Sequence, residues 1–176
     1  MSQALEILND IATNTLRNAA SLPFRDSVVT EWQGLGFQIG GVRLVAHVSE
    51  VAELMLVPKI THLPGVKKWV LGMANVRGRL VPIIDMHRFL GISNTCTRLL
   101  RRVIVVDSGE MTVGLVVEQS LGMQHFLLEN YEQGLPDGLD KMHSHLDGAY
   151  RHGGRIFYLA KLKALISDRC FMDVSD

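Results

Sequence analysis

The chain has only two cysteines, Cys96 and Cys170, and no C-x-x-C pair. A disulfide framework and a thiolate metal knuckle are therefore excluded, and the thiols are expected to be reduced in a cytoplasmic setting. Charge is not in excess either, with 18 Lys and Arg against 18 Asp and Glu in 176 residues. Nucleic-acid binding needs surplus cations to displace counterions, and an anionic membrane surface needs a polybasic run; both are missing. Aromatic residues make up 6% of the chain and are not interleaved with basic ones, so an RNA-binding barrel lacks its stacking platform. No apolar run approaches the ~20 residues of a membrane span, which argues against direct membrane insertion. The first residues carry no basic n-region followed by an uninterrupted apolar h-region. Neither a G-x-x-x-x-G-K-[ST] loop nor a G-x-G-x-x-G turn is present, so the backbone cradles for ATP and NAD are missing. No Ser, Cys or Lys sits in a recognisable nucleophile motif. The expectation is a non-enzymatic protein without a cofactor.

What is present is apolar and β-rich. Hydrophobic residues are 47% of a length that suits one domain or two small subdomains sharing a core. Leu5, Leu8, Ala12, Leu16 and Ala19 recur at steps of three or four, which predicts an amphipathic helix over residues 1–20, stopped by Ser21-Leu22-Pro23. Its stripe either packs on the body of the chain or forms a partner-binding arm. From residue 34 onward, short β-rich runs are joined by glycine turns. Gly40-Gly41 joins Phe37–Ile39 to Val42–Val48, Ser108-Gly109-Glu110 joins Val103–Val106 to Met111–Val117, and His152-Gly153-Gly154 joins Ala149–Arg151 to Ile156–Leu159. Short helices are predicted near Asp85–Leu90, ending at Gly91, and near Lys161–Ser167. Residues 91–102 read as a connection between an N-terminal and a C-terminal half, and residues 129–144 as a loop.

The richest stretch runs from Leu63 to Asp85 as L-P-G-x-x-x-W-V-x-G-x-x-N-x-R-G-x-x-V-P-I-I-D. Trp69-Val70-Leu71 and Leu80–Ile84 are strand-length apolar runs, and the turn residues between them predict a fourth hairpin. Pro82 cannot donate to a ladder, so its strand is expected at an edge or bulged. Asn75, Arg77, Gly78, Val81, Pro82, Ile83 and Asp85 resemble the N-x-R-G and V-P-I-x-D run of the CheW family of chemosensory adaptors. Upstream, Phe37–Leu44 resembles the family's opening hairpin and Val51-Ala52-Glu53-Leu54 its V-x-E-I segment. Downstream, Val103–Asp107, Val113–Glu118 and Arg155–Ile166 follow its second half, so the likeness spans residues 34–168.

The resemblance implies an all-β fold of two small five-stranded SH3-like barrels sharing an apolar interface, with an N-terminal helix and short connecting helices. The corresponding division is an extension over 1–33, barrels over roughly 34–100 and 101–168, and a tail over 169–176. It implies an adaptor that couples a CheA-like histidine kinase regulatory domain to the cytoplasmic tips of methyl-accepting chemoreceptors. The extension and the divergent 129–144 loop point to pilus-linked systems. The partner-binding residues implied are Val51, Glu53, Gly72, Asn75, Arg77 and Gly78.

Each has a plainer reading. Arg77 is either a turn residue capping nearby carbonyls or, by resemblance, an organiser of the docking surface. Gly72 and Gly78 serve special backbone angles or close approach. Glu53 is expected to be the solvent-facing member of its strand, Trp69 to be core rather than an interface anchor, and Asp85 to cap the following helix. The competing reading is a small-ligand or metal-binding barrel using His143, His145 and Asp147, because alternate residues of a strand share a face. The remaining histidines, including His87, are expected to be surface or satisfied interior residues.

Overall fold

Glycine-marked turns fold the chain into four antiparallel hairpins, all at the expected positions. The computed structural model describes residues 30–93 and 96–175; the helix expected over 1–20 lies outside them. Strands β1 (Glu31–Ile39) and β2 (Val42–His47) meet at Ile39 and Val42, and β4 (Val70–Val76) and β5 (Arg79–Asp85) meet at Val76 and Arg79. Strand β6 (Arg102–Asp107) returns as β7 (Thr112–Val117), and β10 (Leu146–His152) returns as β11 (Arg155–Ala160). Strand β3 (Val51–Leu56), the nine-residue β8 (Gln119–Leu127) and the two-residue β9 (Tyr131–Glu132) complete the set.

These strands form two sheets. One has five strands in the order β3-β6-β7-β5-β4, and the other six, in the order β8-β1-β2-β11-β10-β9. The sheets are not the two halves of the chain. The five-stranded sheet is the continuous stretch 51–117, whereas the other takes β1 and β2 from before it and β8 to β11 from after it. The parallel pairing β5–β7 lies within the five-stranded sheet and β2–β11 within the six-stranded one, and the expected division at residue 100 falls inside the five-stranded sheet. Residues 91–102 accordingly connect two elements of that sheet.

Three apolar clusters explain why the strands read as unbroken hydrophobic runs. In β6, Ile104 and Val106 join a large cluster shared by both sheets, while Val103 and Val105 turn to a second cluster private to the five-stranded sheet. Strand β2 divides likewise, with Leu44 and Ala46 in the shared cluster and Val45 in a third, private to the six-stranded sheet. A strand covered on both faces has no polar positions to alternate with. Sequence and packing thus agree on two small β units joined through an apolar interface.

Three local expectations need correction. Strand β5 is interior, flanked by β4 and β7, so Pro82 is not on an edge strand. Its partner Met73 directs both backbone groups outward to Thr61, at 2.8 Å each, so the Met73–Pro82 pair exchanges no hydrogen bond. Pairing with β7 begins only at Ile83, and the missing donor is never required. The described part of the expected tail, residues 169–175, packs on the body of the chain. Asp168 caps the short helix α3 (Arg169–Met172), and Phe171 is buried in the shared cluster. The loop over 129–144 is likewise pinned, by Leu139 and Met142 in the same cluster. Helices α1 (Met86–Leu90) and α2 (Leu162–Ile166) match their expected positions; Asp85 caps α1 by accepting from the backbone N–H of His87 and Arg88.

Candidate functional site

The β4–β5 turn organises the implied docking residues. Arg77 and Gly78 occupy its two central positions with φ of 51° and 83°, the left-handed pair that a type I′ turn requires. Among the described residues Arg77 is the only non-glycine with positive φ, a conformation costing a side-chain-bearing residue about 1 kcal/mol. Asn75 Oδ1 accepts from the Gly78 N–H at 2.8 Å and holds the turn. The Arg77 guanidinium is thereby projected off the tip of the hairpin, where Nε lies 2.9 Å from Glu53 Oε2. Its recorded partner is this carboxylate, not a turn carbonyl.

Glu53 reaches that position through a bulge. Val51 pairs with Val106 and Glu53 with Val105, which leaves Ala52 as an extra residue. An extra residue puts its neighbours on opposite faces. Val51 packs on the shared cluster, whereas Glu53 and Met55 turn toward the private face of the five-stranded sheet. Glu53 is therefore not the solvent-facing member of its strand. Its side chain is 23% exposed, while Ala52, Leu54 and Leu56 face outward, with Leu56 at 66%. β3 and β4 are the two edges of this sheet, so the Arg77–Glu53 pair clasps one edge to the other. Arg79 and Asp107 add a second pair at this end, at 3.6 Å, and the Gly109 N–H holds the Asp107 carboxyl below its ordinary range.

Gly72 is set apart from this rim. It is buried beneath the 61–62 segment with φ of 137°, and a Cβ there would press into the Thr61 carbonyl. The plainer reading, close backbone approach, is the one its surroundings support. Trp69 is partly buried on the shared cluster, edge-on to Phe89 with centroids 5.6 Å apart.

A buried polar cluster escaped the sequence. Asp85, His87 and Glu118 are all nearly inaccessible, and His87 Nε2 lies 3.0 Å from Glu118 Oε1. Glu118 also accepts from the Gly41 N–H at 3.3 Å, which ties α1 of one sheet to the first hairpin of the other. Burial pushes the Glu118 carboxyl up, but the hydrogen bond and charge of His87, with Gly41 and Gln38, outweigh it and leave the group below its ordinary value. His87 Nδ1 has no hydrogen-bond partner among the described residues. Only the tertiary approach of three distant segments creates this cluster, and no spacing announces it.

The competing metal set does not assemble. Residues 140–145 form a 3-10 turn instead of a strand, so His143 and His145 do not share a face by alternation. His143 bonds the Pro136 carbonyl, His145 approaches Asp168, and Asp147 pairs with Lys161. No group of three His, Cys, Asp or Glu placed to hold a metal occurs among the described residues. No helix among them is long and apolar enough to cross a membrane.

A family model described as a CheW-like domain matches residues 33–170. The chain is 39% identical to Protein PilI of Pseudomonas aeruginosa over 170 residues, covering 97% of this chain and 95% of that protein. It is 26% identical to the chemotaxis protein CheW of Thermotoga maritima, covering 78% and 89%, and 26% identical to FrzA of Myxococcus xanthus, covering 67% and 73%. The crystal structure of the scaffolding protein TtCheW from Thermoanaerobacter tengcongensis superposes with a TM-score of 0.69 at 20% identity, over 80% of this chain and 96% of that one, a likeness of fold.

Proposed function

The chain belongs to the CheW-like domain family of chemosensory adaptors, on the PilI-type branch, and we propose that it couples the regulatory domain of a CheA-like histidine kinase to the cytoplasmic tips of methyl-accepting chemoreceptors. In this reading it works without turnover or cofactor, in the cytoplasm, within an array serving pilus-driven motility.

The observation that carries the proposal is the rim made by Glu53, Arg77 and the outward face of β3. It combines features of a docking edge: a strand with one unpaired side, exposed Leu54 and Leu56 on it, Leu80 beyond the turn, and a charged clasp at the boundary. Val51, Asn75 and Gly78 set the geometry of the rim from behind, and Gly72 acts through the packing of the hairpin. A face of this size gives weak binding, which many copies held in one array make effective.

The test is co-expression with the kinase regulatory domain and a receptor signalling tip, followed by co-purification of wild type, Glu53→Ala and Arg77→Ala. The proposal expects a ternary complex with wild type and loss of the kinase or the receptor with the variants. Recovery of neither partner with folded wild-type protein would refute it.

A further inference from the structure

The five-stranded sheet has a second charged end. Strands β5 and β6 run in opposite directions, so Asp85 and Arg102 lie at the end opposite the Arg77–Glu53 clasp. A cleft of about 420 Å³ opens there, walled by Val57, Ile60, Leu71 and Val116 and overhung by Arg88, Arg98 and Arg101. Asp85 is the one carboxylate in its lining among the described residues. It stands 3.8 Å from Arg101 and 3.9 Å from Arg88, beyond hydrogen-bonding range, and is already committed to capping α1. Arg101 Nε is buried without a hydrogen-bond partner, and Arg98 has no carboxylate partner among the described residues.

Exposed apolar side chains flank these cations. Leu56 immediately precedes Val57, and Leu99 and Leu100, the former 82% exposed, lie between Arg98 and Arg101. In a chain of zero net charge this is a local surplus of cations beside unburied leucines. We propose that this cleft docks an acidic segment of a partner protein, one that places a carboxylate against Arg98 and Arg101 and apolar side chains on Leu56, Leu99 and Leu100. A carboxylate accepts two parallel hydrogen bonds from a guanidinium, and the exposed Arg98 presents one at the mouth of the cleft. The concave, apolar-walled shape fits an inserted side chain better than a flat lipid surface. This assignment does not rest on the kinase and receptor reading; it shares Leu56 with the β3 rim, but its cations lie at the opposite end of the sheet from Arg77.

The experiment is fluorescence anisotropy of the full chain with a labelled synthetic peptide of alternating Glu and Leu, beside its twin with Gln in place of Glu. The Glu peptide should bind saturably and with falling affinity as salt rises, and the Gln twin about tenfold or more weaker. Arg98→Glu should cost about tenfold as well, whereas Arg77→Ala at the other end should leave binding unchanged. Leu99→Ser, at a largely solvated position, provides a second variant that should weaken binding with an unchanged melting midpoint. Equal binding of the two peptides, or an indifferent Arg98→Glu, would overturn the proposal. So would phosphatidylglycerol vesicles that bind through Arg98 when the peptide does not, or a self-association of the chain that Arg98→Glu abolishes.

Discussion

Replacing Arg77 by glycine separates docking from folding more sharply than replacing it by alanine. Two terms act on stability, and they oppose each other. The ion pair to Glu53 is short, at 2.9 Å, but its guanidinium is 77% exposed, so its net worth is about 0.2 to 1 kcal/mol. The backbone of Arg77 sits at φ 51°, and glycine would relieve about 1 kcal/mol of left-handed strain. Arg77→Gly should therefore fold within about 1 kcal/mol of wild type, while Arg77→Ala, which keeps the strain and loses the pair, should cost up to about 1 kcal/mol. Glu53→Ala should cost a similar amount, and a double-mutant cycle on the pair should give a coupling of no more than about 1 kcal/mol. Binding should respond far more. Loss of a charged contact desolvated in a complex costs roughly 2 to 5 kcal/mol, a factor of about thirty or more in affinity. The assay is a urea midpoint for each variant beside titration with the kinase regulatory domain and with receptor tips. A fall of more than about 2 kcal/mol for Arg77→Gly, with the remaining folded protein binding normally, would refute the reasoning and make Arg77 a structural bridge.

Gly72→Ala should destabilise by about 3 kcal/mol, because the new Cβ meets the Thr61 carbonyl in a backbone conformation that only glycine adopts freely; a midpoint close to wild type would show that the 61–62 segment can move aside. Phe171→Ala should cost about 3 to 5 kcal/mol in the same assay, since its ring is buried against the shared cluster and Phe89; a cost under about 1 kcal/mol would restore the reading of this segment as a tail. Glu118 binds its proton less readily in the folded than in the unfolded chain, so its contribution is complete above the ordinary value of 4.5 and is lost as pH falls through the lower folded value. Urea midpoints across the acid range should consequently fall less steeply in Glu118→Gln than in wild type, and parallel curves would assign the acid sensitivity elsewhere.

The turns were legible because their determinants are local. Gly40-Gly41 and Gly153-Gly154 fix two-residue hairpins by backbone preference, Asn75 and Gly78 mark the turn that Arg77 completes, and Asp85 and Gly91 mark both ends of α1. The assignment of hairpins to sheets was not, because β5–β7 and β2–β11 join residues far apart in sequence and leave no local trace. The face of Glu53 is not legible because the apolar residues of Val51–Leu56 fit either phase of alternation, and only the bulge at Ala52 decides between them. Strand β8 leaves no local signal because Gln119–Leu127 carries no clean alternation, and α3 leaves none because its four residues are too few for a period. Of the implied docking residues, Glu53 and Arg77 meet in space, and Asn75 and Gly78 support the turn that brings them together. Gly72 stands apart because its constraint comes from a neighbouring segment that no pattern around it reveals.

The interleaving of the two sheets imposes an order on how the chain is made. All five strands of the 51–117 sheet leave the ribosome before β8 to β11, which the six-stranded sheet cannot do without. Until they arrive, the β1–β2 hairpin waits with the Val45 face, which packs on Phe126, Tyr150, Phe157 and Leu159, uncovered, and β2 gains its parallel neighbour β11 only after more than a hundred residues of intervening chain. The nascent protein therefore passes through a stage in which one sheet is complete and the other is an open, sticky hairpin. Pulse-labelled hydrogen exchange during refolding should find the amides of β6 and β7 protected before those of β1 and β2, and simultaneous protection would show that the two sheets form as one unit.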